Sequence, residues 1–168
     1  MTLHSFSPIQ YIDDPVLAPS GVELNILRLD RFFPPISGNK YFKLKLNIDY
    51  AKRHGYKRLL SFGGAYSNHI HALALAGKHY NMGTVGLIRG DQSMEANLNP
   101  TLQDAVDAGM DLHFLDRSQY RNKQDQDFIA RLQAEFPDAY IIPEGGSNLL
   151  GVKGCMEIVE HITHHLTD

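Results

Sequence analysis

The chain has 168 residues, enough for one ordinary domain or two small lobes, and its 43% hydrophobic and 21% charged content excludes a disordered or fibrous protein. A net charge of -3 gives no electrostatic footing for nucleic acid or an anionic membrane. The single cysteine, Cys155, excludes an internal disulfide, and no apolar run approaches the roughly 20 residues of a membrane span.

The first residues lack the basic start and apolar core of a signal peptide, so a cytoplasmic protein is expected. Residues 1–21 contain Pro8, Pro15 and Pro19 without helical period and read as an irregular lead-in. Residues 22–29 (VELNILRL) alternate apolar and polar, the pattern of a half-buried strand. A turn-rich loop with Pro34, Pro35 and Gly38 follows. From Lys40 the spacing becomes helical, with Leu44, Ile48 and Ala51 on one face and Gly55 placed to end the helix.

A repeated unit begins at residue 58. Short apolar strands are predicted over 58–62, 83–88, 111–115 and 139–142. Helices are predicted over 67–79, 100–108, 124–136 and 149–165. Strands alternating with helices predict a three-layer α/β fold, with a four-stranded parallel sheet and helices on both faces. Ligands of such sheets sit outside the carboxyl ends of the strands. The glycine pairs Gly63-Gly64 and Gly145-Gly146 both fall there.

Two stretches can carry chemistry. In SGNKYFKL, Lys40 stands at the mouth of a helix, where the positive end of the dipole favours loss of its proton. Lys43, one turn on, adds a second cation that also discourages protonation and can meet a phosphate. A solvated first-turn lysine and a polar helix face are the plainer accounts of the two. In SFGGAYSNH a strand breaks at two glycines and opens a helix. Ser67 is a natural cap, and its hydroxyl can equally bind a carboxylate or pass a proton. Asn68 can donate to a phenolic oxygen. Gly63-Gly64 lets backbone approach a flat ring. An amine facing a hydroxyl and an amide across a cleft can hold an aldehyde cofactor as an imine and work on an attached amino acid.

The GxGxxG and GxxxxGK[ST] patterns are absent, which weakens nicotinamide and nucleoside triphosphate readings. His69 and His71, two apart, cannot share a helical face to ligate one metal. Glu157, His161, His164 and His165 read as a polar face near a helix end rather than a zinc site, so no metal is assigned.

GNKYFKL resembles the GNKxxKL motif of the pyridoxal-phosphate enzymes grouped as 1-aminocyclopropane-1-carboxylate deaminase and D-cysteine desulfhydrase. SFGGAYSNHIHALALAGK and IPEGGSNLLGVKG are similar to two later segments of that family, and order and spacing agree from about Ser7 to Glu160. The resemblance implies the first half of a tryptophan-synthase β-type (fold type II) enzyme. Residues 1–43 would belong to the cofactor domain, 44–148 to its small parallel lobe, and 149–168 to a helix returning towards the remainder. It implies pyridoxal 5'-phosphate as cofactor, with Lys40 as Schiff-base lysine, Asn68 on the ring oxygen and Lys43 as second lysine. Ser67 would act as nucleophile or proton carrier, with Ser67, Asn68 and His69 facing the substrate. The implied activity turns a small amino acid into a 2-oxo acid and ammonia. A homodimer is compatible with it. The phosphate loop and the group facing the pyridine nitrogen are missing, so weak cofactor binding is expected. A half-lobe serving association, or another α/β enzyme binding a phosphate or nucleotide sugar, stays open.

Overall fold

The computed structural model describes residues 9–36 and 38–166. The expected four-stranded sheet is present and wholly parallel: β3 (Arg58–Gly64), β4 (Gly83–Arg89), β5 (Met110–Leu115) and β6 (Ala139–Ile142), in the order β5-β4-β3-β6. Its inner strands are buried on both faces, which is why they read as unbroken apolar runs. Leu59 and Ile88 face one core with Leu44, Ile70, Leu73 and Leu102, from helices α1 (Asn39–Arg53), α2 (Asn68–Tyr80) and α3 (Pro100–Asp107). Leu60, Phe62, Val85 and Leu87 face the other, against Tyr120, Leu132 and Phe136. These come from α4 (Arg117–Arg121), α5 (Gln126–Glu135) and the residue that ends α5.

Local chemistry explains the helix boundaries. Ser67 caps α2 by accepting from the Ile70 amide, and Asn99 caps α3 ahead of a proline in its first turn. Gly55, at φ 79°, turns the chain after α1 as its position predicts. Helix α4 escaped prediction, although Asp116 and Gln119 form a capping box.

Two expectations are corrected. The lead-in is not wholly irregular: β1 (Ile9–Ile12) pairs antiparallel with β2 (Leu24–Leu27), joining Ile9 to Leu27 and Ile12 to Leu24. Residues 1–8 and Ser37 lie outside the described residues. Strand β3 also does not break at its glycines, since Gly63 and Gly64 pair in register with Ile88 and Arg89.

The sheet order determines where a ligand can sit. From β3 the chain steps outward to β4 and β5, then returns to place β6 on the other side of β3. The reversal opens a crevice at the carboxyl ends of β3 and β6. Helix α6 (Leu149–Leu166) then packs back along α1, close enough that a Cβ on Gly154 would stand 2.0 Å from the Phe42 carbonyl oxygen. A 2.6 Å ion pair between Lys45 and Glu157 spans the same two helices.

Candidate active site

Lys40 and Asn68 meet in one cleft. It has a volume of about 430 Å³ and is lined by Gly38, Asn39, Lys40, Asn68, His71 and Leu75, among others. It lies between the first turns of α1 and α2. Gly38 offers no side-chain cap to α1, so the first amides of that helix keep their capacity to bind an anion. His71, weighed in the sequence only to set aside a metal site shared with His69, is a cleft residue and stands 3.4 Å from Asp104.

Burial holds the proton affinity of Lys40 below that of an ordinary lysine, and the charge of Lys43 lowers it further; Cys155 opposes both. Lys43 therefore acts electrostatically as its one-turn spacing suggests. Its own ammonium is engaged elsewhere, donating at 3.3 Å to the Gly145 carbonyl. Gly145 and Gly146 both have positive φ, 70° and 68°, in the turn that follows β6. At Gly146 a Cβ would stand 3.2 Å from the Lys43 Cβ and 3.5 Å from the His69 Cε1. The positive φ and the tight contact with Lys43 both favour glycine there.

His69 lies beneath this turn and is 3% exposed. Its Nε2 is 2.9 Å from the Ser61 hydroxyl, which donates at 2.8 Å to the Ile142 carbonyl. A hydroxyl has one proton. The Ser61 proton is committed to Ile142, so Nε2 carries the ring proton and donates. Nδ1 is left as a bare acceptor, buried without a hydrogen bond. Burial, then the charges of Lys40 and Lys43, push the ring pKa down to about 4. His69, expected at the substrate, is thus a buried neutral ring joining α2, β3 and β6.

Ser67 accepts from the Ile70 amide at 3.3 Å and keeps its own proton to donate. Gly63 is required by this cap: a Cβ there would fall 2.5 Å from Ile70 Cγ1 and 2.7 Å from Ser67 Oγ. Helix packing is by itself enough to require that glycine. The turn after β3 is pinned from outside by Asn99, whose amide donates at 2.9 Å to the Ala65 carbonyl.

Behind the glycine turn stands a carboxamide pair that the sequence did not reveal. Asn47 donates to the Lys43 carbonyl at 2.7 Å and to Asn148 Oδ1 at 3.2 Å, while Asn148 donates back to Asn47 Oδ1 at 2.7 Å. Asn148 Oδ1 also accepts from the Gly151 amide at 2.8 Å, tying the start of α6 to α1.

No family model matches the chain. It is 29% identical to "Bifunctional D-cysteine desulfhydrase/1-aminocyclopropane-1-carboxylate deaminase, mitochondrial" of Arabidopsis thaliana, over 97% of this chain and 42% of that protein. It is also 29% identical to a D-cysteine desulfhydrase of Klebsiella pneumoniae, over 90% of this chain and 47% of the relative. The crystal structure of a 1-aminocyclopropane-1-carboxylate deaminase homologue superimposes with a TM-score of 0.75 at 25% identity, over 94% of this chain and 47% of that one. The chain is related to these deaminase and desulfhydrase proteins. It spans about half the length of the curated relatives it matches. A hydrogen sulfide-producing enzyme of Fusobacterium nucleatum shares the fold, with a TM-score of 0.67 at 16% identity. Among the described residues no helix is long and apolar enough to cross a membrane.

Proposed function

We propose that this chain supplies the lysine-bearing half of a pyridoxal-phosphate site that converts a small amino acid, of the D-cysteine or 1-aminocyclopropane-1-carboxylate type, into a 2-oxo acid and ammonia. The observation that carries the reading is the shared cleft of Lys40 and Asn68, with the Lys40 proton affinity lowered by burial and by Lys43. The donor set fits the cofactor's aldehyde and ring end: Lys40 is the amine that would hold the aldehyde carbon, and Asn68 the amide for the ring oxygen. The uncapped first turn of α1 suits the phosphate, with Lys43 as a nearby cation. When bound, the cofactor supplies a ring that accepts the electron pair released at the substrate carbon.

The remaining work falls to the chain's own groups. Burial and the Lys43 charge ease loss of the Lys40 proton, which suits Lys40 to serve as acid and base at the substrate. Ser67, whose hydroxyl keeps its proton while accepting from the Ile70 amide, is assigned to donate to a substrate carboxylate. Asn68 would orient the ring, and the Gly145 carbonyl holds the Lys43 ammonium.

A specific observation supports a second element of the proposal. Leu149, Val152, Met156 and Val159 lie at helical spacing on α6 and are each at least 60% exposed. An apolar stripe on an otherwise packed helix fits the face of a larger assembly. Residues 149–168 are accordingly assigned to contact the polypeptide that completes the cofactor domain.

The test is uptake of pyridoxal phosphate, followed by visible-edge absorbance, borohydride reduction and peptide mapping. The label should reside on Lys40 and disappear in Lys40→Ala. Unchanged absorbance in that variant, or label spread evenly over other lysines, refutes the assignment.

A further inference from the structure

We propose that Glu144 is a positioning residue for Lys43: tethered to Tyr120 and Lys123, it fixes the Gly145 carbonyl beside it, on which the Lys43 ammonium is held. The inference rests on the reading of the cleft given above, in which Lys43 is the second cation.

The turn after β6 cannot orient itself. Gly145 and Gly146 carry no side chain, and both sit at positive φ, a region where glycine has wide conformational freedom. The 2.9 Å bond from the Gly146 amide to the Pro143 carbonyl is internal to the turn. Yet the Gly145 carbonyl accepts from the Lys43 ammonium at 3.3 Å, so it must be held in one direction. That direction comes from the side chains flanking the two glycines. Asn148 supplies one anchor, donating to Asn47 Oδ1 at 2.7 Å. Glu144 supplies the other.

Both oxygens of the Glu144 carboxylate have a partner. The Tyr120 hydroxyl donates to Oε1 at 2.8 Å, and the Lys123 ammonium stands 3.4 Å from Oε2. Tyr120 is itself fixed: it is 4% exposed and meets Phe62 of β3 edge to face, with ring centres 6.4 Å apart. The Lys123 ammonium also lies over the Tyr120 ring, 4.7 Å from its centre, with the Arg89 guanidinium at 5.7 Å. Burial, and then the bond to Glu144, raise the Tyr120 pKa, so the phenol keeps the proton that it donates. Tyr120 belongs to the core on one face of the sheet and α1 to the core on the other. The turn is therefore held across the end of the sheet, from α4 on one side and from α1 on the other.

This arrangement prepares Lys43 for an anion. An ammonium has three N–H bonds. One goes to Gly145, and among the described residues the other two have no acceptor. A lysine side chain held in this way has given up rotamer freedom before an anion arrives, so that loss does not weaken binding. Tyr120 and Glu144, 24 residues apart, act on the site through Lys43.

The experiment uses the cofactor-free chain, so its failure leaves the pyridoxal-phosphate reading standing. The direct readout is the Gly145 carbonyl carbon by NMR. Lys43→Met should move it upfield, towards a carbonyl without that hydrogen bond. Tyr120→Phe, which keeps the ring and removes only the hydroxyl, should move it the same way. A resonance indifferent to either substitution overturns the proposal. Competitive acetylation with trace acetic anhydride separates positioning from charge, with Lys45 and Lys52 of the same helix as references. Tyr120→Phe should make Lys43 about threefold more reactive relative to them, the loss of one weak hydrogen bond. Glu144→Ala should do the same or more. Glu144→Gln removes the charge but keeps an oxygen for the Tyr120 hydroxyl, and should stay near wild type. A rise in Glu144→Gln without one in Tyr120→Phe is a charge effect alone and overturns the proposal. An equal rise at all three lysines is a general loosening of α1 and overturns it too.

Discussion

Replacing Asn47 by alanine tests whether the carboxamide pair behind the glycine turn holds the site together. Asn47 is fully buried, and its Oδ1 accepts from Asn148 at 2.7 Å and from the Tyr140 hydroxyl at 3.3 Å. Alanine leaves both donors without that acceptor and removes the bond to the Lys43 carbonyl. A buried donor left unpaired costs about 1–3 kcal/mol, and the Tyr140 hydroxyl, which is partly exposed, costs less because water reaches it. With the lost packing the expected destabilisation is about 3 kcal/mol, or roughly 1.5 M in urea midpoint at an m-value near 2 kcal/mol/M. Equilibrium urea unfolding measures it directly. Asn148→Ala removes the partner and also orphans the Gly151 amide. The double variant should therefore be less destabilised than the sum of the singles, by at least about 1 kcal/mol. A single-variant loss below about 1 kcal/mol, or strict additivity, would refute the claim that these two amides act as one clamp.

Two further outcomes follow from packing and charge. Gly154→Ala puts a Cβ 2.0 Å from the Phe42 carbonyl oxygen and 3.0 Å from its carbon, both backbone, so α1 and α6 must separate. The thermal midpoint should fall by roughly 5 °C or more by calorimetry, and an unchanged midpoint would show that the helices do not meet this closely. The second outcome concerns acid. The His69 pKa is lowered from 6.5 to about 4, so as pH falls below the first value the unfolded chain binds a proton that the folded chain refuses. Stability on this account is full above the unfolded pKa and is lost as pH falls towards the folded one. The loss is about 2 kcal/mol between roughly pH 7 and pH 5. Urea midpoints across that interval should show the loss in wild type and a flatter profile in His69→Gln. Parallel profiles would contradict the buried neutral ring.

The parts of this structure that could be read in the sequence are those whose cause is local. Strands β3 and β4 announce themselves because burial on both faces demands continuous apolar runs, and α2 because Ser67 caps it. The local signal for α4 was present in Asp116 and Gln119, but a helix of five residues has no period to notice. Strand β1 is shorter still and is set among prolines; its state is decided by pairing with β2. His69 shows the limit most clearly. Its neighbour in sequence, His71, suggested only a metal question, whereas its protonation state is fixed by Ser61 and, through Ser61, by the Ile142 carbonyl 81 residues beyond Ser61. Gly63 also has a reason that the sequence did not show, since it makes room for Ile70 and Ser67 of the next helix turn. What joins these pieces is the order β5-β4-β3-β6, which no periodicity encodes. Had β6 added beyond β5, the Gly145-Gly146 turn would stand away from His69 and offer no carbonyl to Lys43. The motifs name the chemistry, but the reversal of strand order brings them within reach of one another, so a variant that keeps every motif residue while loosening β6 from β3 should lose the site.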